Sequence, residues 1–280
     1  MVALDAILHA LDLVPTGLDR FCGENVPGEA DVVFGGQLLA QSIVAGARRT
    51  EGRTVKTIHT VFARSSSPAR PVDIVVEPLH AGRTFASGTV TISQDQRVCT
   101  RSMLLVDTGD EDLIHHGQGP AHPSRPEDAV AVAGICDDWE VRVVDGVDVA
   151  DPDAVGPAEL DVWTRFVGAP SDPVTSQALL AFATDGFLIG TAMRPHAGVG
   201  QAQAHQSLST GVISHTLTFH EPFEASEWLL LSHRSPYAGR GRTYGTGEVF
   251  RGDGQLVASF VQDGMIRPMT ARPMGEGRAL

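Results

Sequence analysis

The chain repeats itself, and that constrains its fold more than any other feature. IHTVF, Ile58 to Phe62, returns as SHTLTF, Ser214 to Phe219. LHAGRTFASGTVTISQDQRV, from Leu79, returns as PYAGRGRTYGTGEVFRGDGQLV, from Pro236. His59 and His215 are 215 − 59 = 156 positions apart, and the two AGR tripeptides 238 − 81 = 157. Spacing held to one residue over that distance implies two copies of one structural unit. Histidines at matching places in both copies point to a structural job rather than to acid–base work.

Each copy opens with a helical stretch. In GGQLLAQSIVAGARR, Gly35 to Arg49, Leu39, Ile43 and Ala47 form one stripe, which Leu38, Val44 and Ala45 widen. A helix apolar nearly all round belongs in an interior. The second stretch is SDPVTSQALLAFATDGFLIG, where Ser171 or Asp172 caps the start and Pro173 suits the first turn. Four strand-like segments follow each helix. They are Thr54–Ala63, Val72–Leu79, Thr84–Ile92 and Val98–Val106, then Val212–Phe219, Trp228–His233, Thr243–Phe250 and Leu256–Ile266. SQDQR and RGDGQ mark the hairpin turns that close each set. WEVRVV and ELDVWTRFV add strands ahead of the second helix. A long buried helix wrapped by a curved antiparallel meander is a hotdog unit, so the expected class is α+β, a tandem or double hotdog. The units take residues 1–106 and 139–280, and the Pro-, Gly- and His-rich segment 107–138 reads as a surface linker.

Composition narrows the partners. The formal charge is −13, which argues against nucleic acid, because phosphate contacts need a basic footprint. Cys22, Cys99 and Cys136 are three and widely spaced, which suggests neither a disulfide framework nor a zinc knuckle and makes a reducing cytoplasm the expectation. The opening MVALDAILHALDLV is interrupted by Asp5, His9 and Asp12 and places Leu4, Ile7, Leu8 and Leu11 at helical spacing, so it reads as an amphipathic helix rather than a signal peptide. No run reaches the roughly 18 apolar residues of a membrane span, so no membrane insertion is expected. His115, His116 and His122 in the linker are conceivable metal ligands, but an exposed linker accounts for them, and no metal or cofactor is expected.

FATDGFLIG, Phe182 to Gly190, holds one carboxylate, Asp185, in an otherwise apolar and small-residue run. A charge there is costly unless paired, hydrogen-bonded or used. The matching stretch of the first copy, LLAQSIVAG, has no carboxylate, so the scaffold does not require one.

Several longer motifs occur in a characteristic order: VFGGQLLAQSI, IHTVFARSSSPARP, AGRTF, DVWTRF, FATDGFLIG, HTLTFHEPFEASEWLLL and DGQLVASFVQDGMIR. In these the chain resembles the bacterial acyl-CoA thioesterase II family over nearly its whole length. The resemblance implies hydrolysis of acyl-CoA to free fatty acid and coenzyme A, with a homodimer or larger even assembly. It also implies a catalytic aspartate matched by Asp185, a glutamine matched by Gln262 in VQDG, and a hydroxyl two positions before an Asp-His pair. Here that last segment reads GVISHTLTFH, with Val212 at the hydroxyl position and Ser214 at that of the aspartate. Strand alternation puts Ser214 on the face of Val212, so Ser214 is the expected substitute, with Thr210 as the other. Failing both, Asp185 and Gln262 act alone.

Thioester hydrolysis needs a water within reach of a base and in line with the carbonyl carbon. Asp185 can take its proton, Gln262 can orient it, and Gly35 and Gly36 in FGGQ let backbone come close to a ligand. Arg240 and Arg242, flanking a glycine, are the expected partners of coenzyme A phosphates. Two other readings stand beside this one. A hotdog enoyl-CoA hydratase or dehydratase wants an Asp/His pair, and no histidine sits near FATDGFLIG at a recognisable spacing. An acyl-CoA-binding protein could have lost its hydroxyl to Val212.

Overall fold

A computed structural model describes residues 3–27, 31–48, 52–132 and 137–269; Cys136 and Arg49 lie outside them. The chain opens with helix α1 (Leu4–Leu11) and a hairpin of β1 (Val14–Gly17) and β2 (Arg20–Gly23). Helix α2 (Gly35–Ala47) precedes β3 (Thr54–Phe62), β4 (Val72–Ala81), β5 (Phe85–Gln94) and β6 (Arg97–Asp107). Then come β7 (Val130–Val132), β8 (Trp139–Val143) and β9 (Glu159–Phe166), followed by α3 (Pro173–Thr184) and α4 (Leu188–Met193). The chain closes with β10 (Leu208–Phe219), β11 (Leu229–Gly239), β12 (Arg242–Arg251) and β13 (Leu256–Pro268).

Among the described residues all 13 strands form one sheet, in the order β1-β2-β4-β5-β6-β3-β10-β13-β12-β11-β9-β8-β7. The order reads the same outward from the β3–β10 junction, so a pseudo-dyad relates two hotdog units of an α+β double hotdog. Helices α2 and α3 lie against the inner face, where apolar side chains leave water. In α2 the eight residues Gly36 to Ile43 are all buried, and in α3 so are Ser176 to Thr184. Asp172 caps α3 by accepting from the Thr175 N–H at 2.7 Å, with Pro173 in the first turn, as the sequence predicts.

The segment after β6 carries β7, which pairs with β8 at the sheet edge, and Ser124, which receives the Trp163 indole N–H at 3.0 Å. One expectation needs correcting. The two histidines are not structural equivalents. Across the junction His59 stands opposite Thr216 and Thr60 opposite His215; the buried Ile58 and Thr60 of β3 match the buried His215 and Leu217 of β10 at an offset of 157, the AGR spacing. The position matching His215 is Ile58. His59 therefore points to the exposed outer face, whereas His215 is fully buried on the inner one. A bulge at Ile213, unpaired between Val212 and Ser214 on β10, shifts the second copy by one residue.

Phe260 packs its ring over Gly247, where any Cβ would collide with it. On its other side the ring stacks against His215, with centroids 5.6 Å apart and planes 8° from parallel. Phe260→Ala is expected to lower unfolding free energy by about 3–5 kcal/mol. His59→Ala, losing one exposed hydrogen bond to Thr216, should cost no more than about 1 kcal/mol. Urea denaturation of both variants checks the two inner- and outer-face assignments.

Candidate active site

Helix α3 does not run through Asp185 as the sequence suggests. It ends at Thr184, Asp185 caps it with φ −78° and ψ −12°, and α4 restarts at Leu188. Asp and Gly are poor interior helix residues, and Asp185-Gly186 together end the helix where the carboxylate can turn toward its neighbours. Some of those neighbours come from the other half. Phe34 packs edge-on against Phe182 at 4.9 Å and draws the start of α2 onto the last turn of α3. The backbones then touch: a Cβ on Gly36 would strike the Phe182 carbonyl, and one on Gly35 would stand 2.6 Å from Asp185 Oδ2. Both glycines are required by this approach. The Gly36 N–H donates to the Asp185 carboxylate, and an α-helix N-terminus favours an anion there.

The side chain of Asp185 is only 5% exposed. Burial, only partly offset by the Gly36 N–H, raises its pKa to about 7. On β13, Gln262 is buried, and its Nε2 donates to Asp185 Oδ1 at 3.3 Å and to His215 Nδ1 at 3.2 Å. His215 Nε2 lies 3.3 Å from Thr184 Oγ1. Burial lowers the His215 pKa to about 3. His215 Nδ1 is 3.9 Å from Asp185 Oδ1, but a neutral ring makes this no ion pair at neutral pH. The structure thus brings together Asp185, Gln262, Gly35 and Gly36. It adds His215 and Thr184, for which the sequence analysis assigned no role here. Along the chain no histidine stands at a recognisable spacing from FATDGFLIG; the proximity of His215 to Asp185 arises across strands.

Ser214 is not brought to this cluster. The bulge at Ile213 reverses the alternation, so Val212 and His215 share the inner face and Ser214 turns outward, donating to Asp263 Oδ2 at 2.7 Å. Thr210 is on the inner face, but it pairs with Ile266, four residues along β13 from Gln262 and so roughly 13 Å away along the strand. The inner-face hydroxyl in the same cross-strand row as Val212 and Gly264 belongs to Thr243, which leans over Gly264. Arg240 lies in the two-residue turn between β11 and β12, where Arg240 (φ 56°) and Gly241 (φ 74°) are both left-handed, and Arg242 opens β12. Both guanidiniums are exposed. In the linker His115 contacts Asp112 at 3.0 Å, and among the described residues no three His, Cys, Asp or Glu side chains gather as for a metal.

Residues 24–106 match the family described as the acyl-CoA thioesterase N-terminal domain, and residues 116–266 match the acyl-CoA thioesterase C-terminal domain. The chain belongs to the acyl-CoA thioesterase family. This thioesterase is 27% identical to acyl-coenzyme A thioesterase 8 of Mus musculus, over 93% of this chain and 88% of that one. It is 28% identical to acyl-CoA thioesterase 2 of Haemophilus influenzae, over 94% and 98% respectively. The solved acyl-CoA thioesterase II of Mycobacterium marinum superposes with a TM-score of 0.77 at 28% identity, covering 98% of this chain and all of that one. A hot dog protein from Alicyclobacillus acidocaldarius, 21% identical, gives 0.76 over 95% and 99% and so shares the fold.

In the unfolded thioesterase Asp185 ionises near the usual 3.9, against about 7 when folded. Folding takes up a proton between those values, so the cost of burying the charge is absent below about pH 4 and complete above pH 7. Asp185→Asn is therefore expected to be more stable than the native chain at pH 8, with an advantage that shrinks toward pH 4. Denaturant titrations at both pH values test this; a constant difference counts against the shifted pKa.

Proposed function

We infer that this thioesterase hydrolyses acyl-CoA by direct attack of a water held between Asp185 and Gln262. The observation that carries the mechanism is the state of the Gln262 amide. Both of its N–H bonds are committed, to Asp185 and to His215, while its Oε1 is buried without any partner. An orphaned acceptor beside a carboxylate is what a water needs to donate one O–H to each, leaving a lone pair for the thioester carbon. Asp185, ionising about 7, takes the proton as the C–O bond forms. The tetrahedral oxyanion collapses, the C–S bond breaks, and the departing thiolate receives that proton from Asp185. No acyl-enzyme is needed, and no hydroxyl from Ser214 enters.

The Asp/His hydratase reading fits less well. Each ring nitrogen of His215 already has a partner, and its depressed pKa leaves the ring neutral, so it is no general acid at neutral pH. Arg240 and Arg242 are proposed to meet the coenzyme A phosphates, being exposed cations beside a strand that pairs with β13. The two hotdog units are proposed to be residues 1–106 and 139–280, joined by 107–138. No described helix is long and apolar enough to cross a membrane. A cytoplasmic location is proposed from the free Cys22 and Cys99. A homodimer or larger even assembly is proposed from Val61, Met103 and Leu105, exposed together on the outer face.

Thiol release from a series of acyl-CoA chain lengths, set against hydration of an enoyl-CoA, is expected to show hydrolysis only. Asp185→Asn and Gln262→Ala should each lower kcat by about 10²–10⁴, and Ser214→Ala should stay within about twofold of the native rate. Full activity in Asp185→Asn overturns the mechanism. Background turnover of the native chain at every length, with acyl-CoA still bound, makes it a binding protein.

A further inference from the structure

We propose that His215, held by Thr184, is a positioning residue that fixes which end of the Gln262 amide faces the reacting water. The proposal rests on the hydrolytic reading above, in which Gln262 orients that water. The Thr184 hydroxyl lies 3.0 Å from the Ala181 carbonyl, which can only accept, so Thr184 donates there and offers a lone pair to His215. His215 Nε2, 3.3 Å away, must then carry the ring proton. Nδ1 is left as the acceptor, and among the described residues the donor within hydrogen-bond distance of it is the Gln262 amide nitrogen, at 3.2 Å. The second N–H of that nitrogen meets Asp185 Oδ1. Donation runs in one sense from Gln262 through His215 and Thr184 to the Ala181 carbonyl, which cannot reverse.

The consequence is chemical. A glutamine amide rotated by a half-turn would aim its oxygen at the Asp185 carboxylate and its N–H₂ at the water, which would then have to accept. Such a water would have one lone pair tied up by the N–H and one hydrogen without an acceptor, which makes it a poorer and less well oriented nucleophile than one that donates both hydrogens. The His215 acceptor excludes that arrangement and keeps Oε1 free. His215 itself is fully buried and stacked flat on Phe260, which holds the ring in this orientation. The first unit shows the scaffold without the device. Ile58 and Leu104, paired across β3 and β6, occupy the place of His215 and Gln262, paired across β10 and β13. Both are buried apolar residues, so the sheet needs no polar pair there.

The test is steady-state thiol release with circular dichroism to verify folding. His215→Leu, near the apolar size that the first unit tolerates, is expected to lower kcat by about 10- to 100-fold with KM within about twofold. His215→Asn, which keeps an acceptor near the Nδ1 position, should recover most of that loss. In a Gln262→Ala background His215→Leu should cost almost nothing more, because its effect passes through the amide. Thr184→Val should lower kcat in the same direction, and Thr184→Ser should restore it; this pair decides the matter if His215→Leu does not fold. A native kcat in His215→Leu, a loss that multiplies in full onto Gln262→Ala, or equal rates for the two Thr184 variants overturns the proposal. Native turnover in Gln262→Ala instead overturns the hydrolytic reading, and the proposal with it.

Discussion

The structure depends on one close approach, that of the N-terminus of α2 to the C-terminal end of α3. Two glycines permit it, and Phe34 against Phe182 holds it. It unites the halves of the chain at the point where a carboxylate has been taken out of water. A buried carboxylate without a cation would ordinarily be lost to protonation. Here the Gly36 N–H and the start of a helix keep ionisation within reach of neutral pH without making it complete. A carboxylate so balanced is a stronger base than one in water and still charged for a useful fraction of the time.

The asymmetry of the repeat follows from a single extra residue. The bulge at Ile213 moves the second copy out of phase with the first, turning His215 inward and Ser214 outward. The cost of placing a histidine in the core is met by giving both of its nitrogens partners. The first copy keeps Ile58 and Leu104 there and packs conventionally. One unit thus serves as the partner surface, contributing α2 and its glycines, while the other contributes the titratable groups.

Much of this was legible in the chain. Periodicity placed α1, α2 and the start of α3, and the turn signals placed the eight repeated strands to within a few residues, because apolar spacing reports which face meets the core. The family motifs singled out Asp185, Gln262 and the glycine pair. What the sequence hid were features set by geometry between strands. Alternation from Val212 to Ser214 assumes an unbroken pleat, and a bulge leaves no mark in residue type. The histidines matched at 156 positions, yet the sheet pairs its halves at 157. The β1–β2 hairpin was missed because VPTG and RFCG are too short to show alternation. The end of α3 at Asp185 was foreshadowed only by Gly186.

The central claim is that Asp185, with its ionisation displaced toward neutrality, is the base that activates water. The most direct measurement is the pH dependence of kcat/KM for thiol release from pH 5 to pH 9. The account predicts one ascending limb that rises about tenfold per pH unit and levels off with a midpoint near 7. A flat profile, or a midpoint in the ordinary carboxylate range near 4, would contradict it.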